Sequence, residues 1–260
     1  MTTLLLAWQH PVTREWFPIG RLARDEGVYR FRYVRGFDQA VKAGLQPLMA
    51  FPDPDAVYVS RSLFPFFQNR VMSPHREDYA EYVSRLGVPP DERDPLPFLA
   101  ISEGRLTTDA FEVFPAAERD SAGRYAVRFF VRGLRHLASE DSTRAEALHQ
   151  GERLDLVPDP QNQADSRAMF LVTADGHRVG YVPRYLTEDL QELRGVHGAS
   201  PVAVVERVNP APVPLQQRVI CSLSCPWPEG FASMSSGQFQ PRDPDQPRTP
   251  SIPASSTPAR

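Results

Sequence analysis

Residues 168–181 read AMFLVTADGHRVGY, and this stretch has the pattern of a β-hairpin. Its two halves, 168–173 and 177–181, are short runs rich in apolar residues, as expected for short strands. Between them, Asp175-Gly176 supplies the residue types that tight hairpin turns prefer, because glycine adopts positive φ without strain. The stretch therefore predicts two neighbouring antiparallel strands.

More short strands are predicted on both sides of this hairpin. The run YAVRFFVRG at 125–133 predicts the first of them, and similar runs predict strands at 154–157, 202–208 and 218–223. Helices are predicted at 142–149, where Gly151 closes the helix, and at 185–193. Many short strands with one or two helices predict a small Greek-key or barrel-like domain.

The first part of the chain predicts a β-meander. Apolar or alternating runs predict strands at 4–10, 16–22, 28–34 and 111–114. The aromatic-rich run LFPFFQNRV at 63–71 predicts a helical turn, and the spacing of apolar residues over 76–86 predicts a helix that Gly87 caps. This part is therefore also expected to be β-rich with short helices.

Three parts of the chain are predicted from these patterns. A small, polar stretch without periodicity at 115–121 predicts a boundary between a β-rich domain at 1–116 and a second domain at 117–228. From 229 to 260 the chain is rich in Pro, Ser, Gln and Thr and has few apolar residues. Such a segment buries too little surface to offset its ordering entropy, so a disordered tail is predicted.

The charge composition bears on the partners that the protein could bind. The net charge is −3, so a nucleic-acid partner would have to be held by a local patch. Lys42 is the only lysine, and the other 28 basic residues are arginines. Because of this bias, the number of arginines is not evidence for phosphate binding, and only their positions are informative. No apolar run approaches the length of a membrane span, so we expect a cytoplasmic protein without a membrane partner.

Catalytic and metal-binding motifs are missing from the sequence. It contains no phosphate loop, nucleophile elbow or His-Glu-x-x-His motif, and Lys42 has no glycine-rich loop beside it. Cys221 and Cys225 have the wrong spacing for a zinc knuckle, so we expect Cys221 in a buried strand and Cys225 in the loop that follows. The sequence predicts neither enzyme activity nor a metal or other cofactor.

Three segments of the second domain resemble a known family. They are VRGLRH at 131–136, LDLVPDPQNQADSRA at 154–168 and DGHRVGYVPR at 175–184. In this order they resemble the HIRAN domain, whose pattern is a strand ending in Gly-Leu-Arg-aromatic, a polar loop and a Gly-Tyr-Val/Ile-Pro turn. The resemblance covers about 125–224 and implies an OB-like barrel that holds the 3′ end of single-stranded DNA.

The resemblance also implies which residues contact DNA. Arg135 would face a backbone phosphate, Asn162 and Asp165 would contact the terminal nucleotide, Tyr181 would lie near the base, and Arg184 at the rim. The chemistry is consistent, since guanidinium groups pair with phosphate and aromatic rings stack on bases. His136 stands where the family has an aromatic residue, Arg167 replaces an asparagine, and Ala164 stands where the family has a stacking ring. The predicted nucleic-acid-binding residues are Arg135, His136, Asn162, Asp165, Arg167, Tyr181 and Arg184.

The first domain resembles the N-terminal subdomain of HipA-type proteins over about residues 4–90. The segments concerned are IGRL at 19–22, YRFRY at 29–33 and LFPFFQNR at 63–70. The kinase core that follows this subdomain in the family has no counterpart here, so the resemblance implies a docking domain for a partner protein at 1–116. The same aromatic residues would equally serve as an ordinary core.

Two functions are consistent with the sequence. The first is a bacterial-type, DNA-repair-related protein that binds single-stranded DNA or DNA ends. The alternative is a protein-interaction adaptor whose HIRAN-like fold has lost its ligand. The predicted fold class is mainly β with short helices (α+β): an N-terminal β-meander domain plus a small OB-like β-barrel domain.

Overall fold

The computed structural model describes residues 2–163 and 165–242, and the chain divides into two compact units. Among the described residues, the first unit holds 2–71, 104–113 and 236–242, and the second holds 72–103 and 114–235. Both are built on antiparallel strands with short helices, which confirms the predicted fold class.

The first unit contains a five-stranded sheet with the order β4-β3-β2-β1-β5. Its first three strands follow one another as a meander, as predicted. The strands are β1 (Thr2–Gln9), β2 (Trp16–Asp25), β3 (Val28–Tyr33), β4 (Tyr58–Ser60) and β5 (Phe111–Pro115). Its helices are α1 (Gly36–Lys42), which was not predicted, and α2 (Pro65–Gln68).

Strand alternation builds the core of the first unit. On β3, the side chains of Tyr29, Phe31 and Tyr33 are buried, whereas Arg30 and Arg32 lie on the opposite face. The Phe31 ring stacks on Phe51 with the ring centres 4.0 Å apart. The aromatic residues of this unit therefore form an ordinary core.

The second unit contains a seven-stranded sheet with the order β10-β9-β8-β11-β12-β7-β6. The strands are β6 (Glu118–Arg119), β7 (Arg124–Phe130), β8 (Arg153–Pro158), β9 (Met169–Val172), β10 (Arg178–Tyr181), β11 (Val202–Val208) and β12 (Val219–Pro226). The helices are α3 (Tyr79–Leu86), α4 (Pro95–Ser102), α5 (Ser139–Glu146) and α6 (Thr187–Gly195). Within the part of the chain that is described, the sheet does not close into the predicted barrel.

Several local predictions can be compared with these elements. Gly87 caps α3 with φ of 61°, as predicted, and Gly176 turns the β9–β10 hairpin with φ of 90°. Helix α4 was missed because two of its first three residues are prolines; the Asp94 carboxylate caps it by accepting from the Leu96 N–H at 3.1 Å. Cys225 lies within β12 and is buried, which corrects its prediction as a loop residue.

The units differ from the predicted division at 116/117 because α3 and α4 belong with the second sheet. The Arg128 side chain donates to the Gly87 carbonyl at 3.1 Å, and the Asn209 amide donates to the Arg85 carbonyl at 2.9 Å. Glu103, buried just after α4, forms an ion pair with Arg132 and accepts from the Tyr185 hydroxyl. These contacts join segments that are far apart in sequence, and the polar stretch at 115–121 itself contains β6.

The segment predicted as a tail begins with ordered contacts. Phe231 and Met234 are buried in the second unit, and Phe239 is buried in the first. The Met234 N–H and the Ser233 hydroxyl both donate to the carboxylate of Asp189, which lies in α6. The remainder of the predicted tail, 243–260, lies outside the described residues.

Candidate nucleic-acid interface

A pair of backbone hydrogen bonds brings the first and third HIRAN-like segments together. The Arg132 N–H donates to the Tyr181 carbonyl at 2.9 Å, and the Tyr181 N–H donates to the Arg132 carbonyl at 2.8 Å. Tyr181 ends β10, and Arg132 lies two residues beyond β7. The end of the hairpin is thereby held against the turn that carries Arg135.

Two glycines allow this close approach. At Gly180, with φ of 129°, a Cβ atom would lie 2.3 Å from Val131 Cγ1 and 2.7 Å from the Arg132 carbonyl oxygen. At Gly133, with φ of 76°, a Cβ atom would lie 2.8 Å from the Tyr181 ring. Both positions therefore require glycine, for backbone conformation and for space.

The Tyr181 side chain lies at the centre of the site. Its ring packs on Phe170 with the ring centres 4.2 Å apart, and it is partly exposed. Its hydroxyl donates to Asp159 Oδ2 at 2.9 Å. Burial, together with the hydrogen bond to the Asp159 carboxylate and its charge, raises the pKa of Tyr181, so the phenol stays protonated at neutral pH.

The polar loop folds onto its own side chains next to Tyr181. The Asn162 amide donates to Asp159 Oδ2 at 3.3 Å, and Asn162 Oδ1 accepts from the Asp165 N–H at 3.2 Å. Asp159 thus holds both the loop and the Tyr181 hydroxyl. Ala164, where the family has an aromatic ring, lies outside the described residues.

The carboxylate of Asp165 lies beside two arginine side chains, those of Arg167 and Arg184. Its Oδ2 atom lies 3.2 Å from Arg184 Nε, and its Oδ1 atom accepts from the Arg167 N–H at 3.0 Å. Arg167 also extends to Glu188, at 3.7 Å. The Asp165 side chain is only 11% exposed, and its Oδ2 has no well-oriented hydrogen bond among the described residues, although the Arg184 charge is close.

Arg135 and His136 occupy an exposed helical turn, Leu134–His136, directly after Gly133. Arg135 Nε donates to His136 Nε2 at 2.9 Å. No carboxylate among the described residues pairs with either side chain. Arg135 is therefore a cation of this site that is not neutralised by an acidic neighbour.

The structure thus gathers the predicted residues into two linked groups. Asn162, Asp165, Arg167 and Arg184 lie in or beside the polar loop, and Tyr181 connects that loop to the turn of Arg135 and His136. Sequence reasoning missed two supporting residues, Asp159 and Phe170. Asp159 lies in the polar loop of the family pattern, which is the signal that could have indicated it, whereas the spacing of Phe170 within β9 gave no signal beyond a core position.

Other kinds of site are not seen where the chain is described. The described residues include no cluster of three or more His, Cys, Asp or Glu side chains that could hold a metal ion. Cys221 and Cys225 are free and buried, and burial raises the pKa of the Cys221 thiol to about 12. Within the described ranges, no helix has the length and apolar character that crossing a membrane requires.

Comparison with known proteins finds similarity in part of the second unit. No curated protein matches the chain. A crystal structure of a protein from Lactobacillus plantarum is 22% identical, with 40% of this chain and 97% of that one covered and a TM-score of 0.31. The crystal structure of the HIRAN domain of human HLTF is 20% identical, with 41% and 79% covered and a TM-score of 0.30.

A further solved structure, the HLTF HIRAN domain in its DNA-bound conformation, is 21% identical, with 39% of this chain and 72% of that one covered and a TM-score of 0.25. At such low TM-scores these likenesses carry no information about individual side chains. The family model of the HIRAN domain matches residues 125–224, which are the residues that the sequence motifs indicated. The predicted HIRAN domain is therefore confirmed for residues 125–224.

Proposed function

We propose that the second unit binds nucleic acid, with single-stranded DNA or a DNA end as its ligand. The observation that carries the proposal is the convergence of three separate segments on Tyr181, beside the unneutralised cation of Arg135. This cluster lies within the residues that match the HIRAN domain, and one solved HIRAN domain is described in a DNA-bound conformation.

Each side chain suits a part of a nucleotide. The exposed Arg135 guanidinium can hold a phosphate through two parallel hydrogen bonds, and the partly exposed Tyr181 ring can stack on a base. Asn162 offers an amide for a base or sugar edge. His136 offers a second, weaker stacking surface next to Arg135.

Asp165 holds the second group of cations in place. Its carboxylate lies beside Arg184 and Arg167, so it fixes the guanidinium groups at the rim. When a phosphate approaches these arginines, the Asp165 carboxylate becomes available to a sugar hydroxyl. The proposed role of Asp165 is therefore positioning first and sugar contact second.

A titration of a fluorescein-labelled single-stranded oligonucleotide, followed by anisotropy, tests the proposal. Arg135→Ala with Asp165→Ala should weaken binding at least about tenfold, since a hydrogen bond to a charged group contributes roughly 1.5–3 kcal/mol. Arg119→Ala is the matched control, because Arg119 is exposed on β6. Equal affinity in the double variant and the wild type would exclude this site.

The alternative, a protein-interaction adaptor, is favoured by a different observation. The Tyr181 hydroxyl and the Asp165 carboxylate already have internal partners in Asp159 and Arg184. A HIRAN-like unit without a ligand would show the same pairing. The adaptor would give no salt-sensitive binding to any oligonucleotide, whereas phosphate contacts make affinity fall steeply with salt.

The remaining predictions complete the proposal. The protein acts by binding and not by catalysis, since its sequence carries no catalytic motif. The first unit serves as a docking domain for a partner protein, as its resemblance to the N-terminal subdomain of HipA-type proteins implies. The meander of β1, β2 and β3 is compatible with that role.

A further inference from the structure

An arginine cluster lies on the first unit, on the face of its sheet opposite the aromatic core. Arg21 on β2 and Arg32 on β3 are directly opposite each other in the strand register. Arg30 lies two residues from Arg32 on the same strand and therefore on the same face. Three arginines thus occupy neighbouring positions on one face of the sheet, which we call the arginine face.

The arginine face has no neutralising partner. Among the described residues, none forms a hydrogen bond or an ion pair with the side chain of Arg21, Arg30 or Arg32, and Arg21 Nε is buried without a hydrogen bond. Asp25 lies on the same face, opposite Val28, but it does not pair with Arg30. Like charges directly opposite in a sheet destabilise it, so this arrangement carries a cost that the fold itself does not offset.

Burial affects the ionisation of Arg21 and Arg32, and the Arg21 charge adds to the effect on Arg32. Partial burial lowers the pKa of Arg21, and partial burial together with the Arg21 charge lowers the pKa of Arg32. The side chains of Arg21 and Arg32 are half-buried, whereas that of Arg30 is exposed. A ligand in solution can therefore reach the arginine face at Arg30. A bound anion would relieve the repulsion and satisfy the orphaned Nε of Arg21.

The surroundings of the arginine face favour phosphate over a protein partner. Ala23 and Val59 are the neighbours of Arg30 in the register, and Leu5 is the β1 neighbour of Arg21. Leu5 is fully buried, and neither Ala23 nor Val59 is a large exposed apolar residue. Protein interfaces have an apolar centre, whereas contacts to nucleic acid are polar and strongly positive. The Cβ atoms of directly opposite residues on adjacent strands lie about 5 Å apart. Two opposite arginines are therefore close enough to hold one phosphate between their guanidinium groups.

We propose that Arg21, Arg30 and Arg32 form a second nucleic-acid contact, which binds phosphates of the sugar–phosphate backbone without reading base sequence. The inference rests on the proposed function of the second unit, because it takes the same ligand. It assigns the first unit a share of the affinity and leaves selectivity to the HIRAN domain.

The test uses the full chain and a salt titration with labelled oligothymidine and a mixed-sequence oligonucleotide. Arg21→Gln with Arg32→Gln should weaken binding about tenfold for both sequences and reduce the slope of log affinity against log salt by about one. Lys42→Gln with Arg61→Gln removes the same charge from exposed positions of the same unit and should leave the slope unchanged.

The melting temperature of the double variant shows independently whether the variant folds. Removing the like-charge pair should keep the melting temperature at or above that of the wild type. Pyrophosphate, compared with chloride at equal ionic strength, should raise the melting temperature of Arg135→Ala, and adding Arg21→Gln and Arg32→Gln to that variant should abolish the rise.

The outcomes separate the two proposals. If Arg21→Gln with Arg32→Gln binds like its control while Arg135→Ala with Asp165→Ala loses binding, the arginine face is excluded and the proposed function stands. If the first pair loses binding and the second does not, the proposed site in the HIRAN domain fails and the arginine face stands. Equal displacement of the oligonucleotide by polyglutamate of matched charge, or no oligonucleotide binding by the wild type, overturns the inference.

Discussion

In the second unit Arg184 and Arg167 lie beside the carboxylate of Asp165, whereas in the first unit Arg21 and Arg32 face each other. The first arrangement is neutralised within the fold and needs no ligand to be stable. The second carries an internal repulsion that only an external anion relieves. The neutralised arrangement suits selective binding, whereas the arginine face suits the attraction of an anion by charge alone.

The two arrangements also make opposite demands on a ligand. Under the proposed function, a nucleotide that enters the HIRAN site would have to compete with Asp165 for Arg184, so weak or badly shaped ligands would be rejected. A phosphate that reaches the arginine face displaces no carboxylate among the described residues. In these proposals, the HIRAN site gains selectivity at a cost in affinity, whereas the arginine face adds affinity without selectivity.

The largest expected effect comes from disrupting the close backbone contact of Gly180 with Val131 and Arg132, which positions the HIRAN site. Gly180→Ala should lower the free energy of unfolding by about 3 kcal/mol or more, because its Cβ would meet Val131 and the Arg132 carbonyl at a positive φ. Gly176→Ala is the matched control: its φ is 90° and nothing lies within 4 Å, so about 1 kcal/mol is expected. Urea unfolding measures both, and equal losses would show that the close packing does not matter.

The second effect concerns pH and the buried carboxylate of Asp189. Burial raises its pKa to about 6 from an ordinary value of 3.8. The folded state thus holds this proton more tightly than the unfolded state, so the contribution to stability is complete below about pH 4 and is lost as pH rises towards 6. The loss is of the order of 3 kcal/mol for a shift of this size.

Asp189→Asn should remove that part of the pH dependence, since the amide does not titrate in this range. Its oxygen can still accept from the Met234 N–H, which now donates to Asp189 Oδ1 at 2.9 Å. Urea unfolding of both proteins between pH 4 and 7 gives the comparison. An unchanged pH profile in the variant would assign the dependence to another group.

The strands were largely predictable from the sequence, and the helices less so. Strand alternation and the Asp175-Gly176 turn are local signals, and they placed β3, β9, β10 and β11 within a residue or two. Helix α1 has only seven residues, and α4 begins with prolines, so neither has a clear helical period. The assignment of α3 and α4 to the second unit depends on contacts between distant segments, which no local pattern contains.

For the candidate site, the motifs indicated the residues but not their pairing. The resemblance placed Asp165 and Tyr181 on the ligand, whereas the structure shows them with Arg184 and Asp159. The unpaired state of Arg21 and Arg32 was equally invisible, because the register between β2 and β3 decides which arginines meet. Charge balance in three dimensions, and not residue type, distinguishes the two surfaces.

A smaller effect tests the opposite signs of the two arginine arrangements. A double-mutant cycle on Asp165→Asn and Arg184→Gln should give a favourable coupling of about 0.5–1 kcal/mol in the free energy of unfolding, as expected for a partly exposed ion pair. The cycle on Arg21→Gln and Arg32→Gln should give an unfavourable coupling of about 0.2–1 kcal/mol. Couplings of the same sign would contradict the comparison.

The smallest expected change in affinity is that of Tyr181→Phe, and it separates the two roles of Tyr181. Tyr181→Phe keeps the ring on Phe170 but loses the hydrogen bond to Asp159 Oδ2, which still accepts from Asn162. We expect a loss of about 1 kcal/mol in stability and a change of about twofold or less in oligonucleotide affinity. Tyr181→Ala is the matched partner, because it removes the stacking surface and should cost about 1–3 kcal/mol of binding. If Phe weakened binding as much as Ala, the hydroxyl would be the ligand contact, and its pairing with Asp159 would have to open when DNA binds.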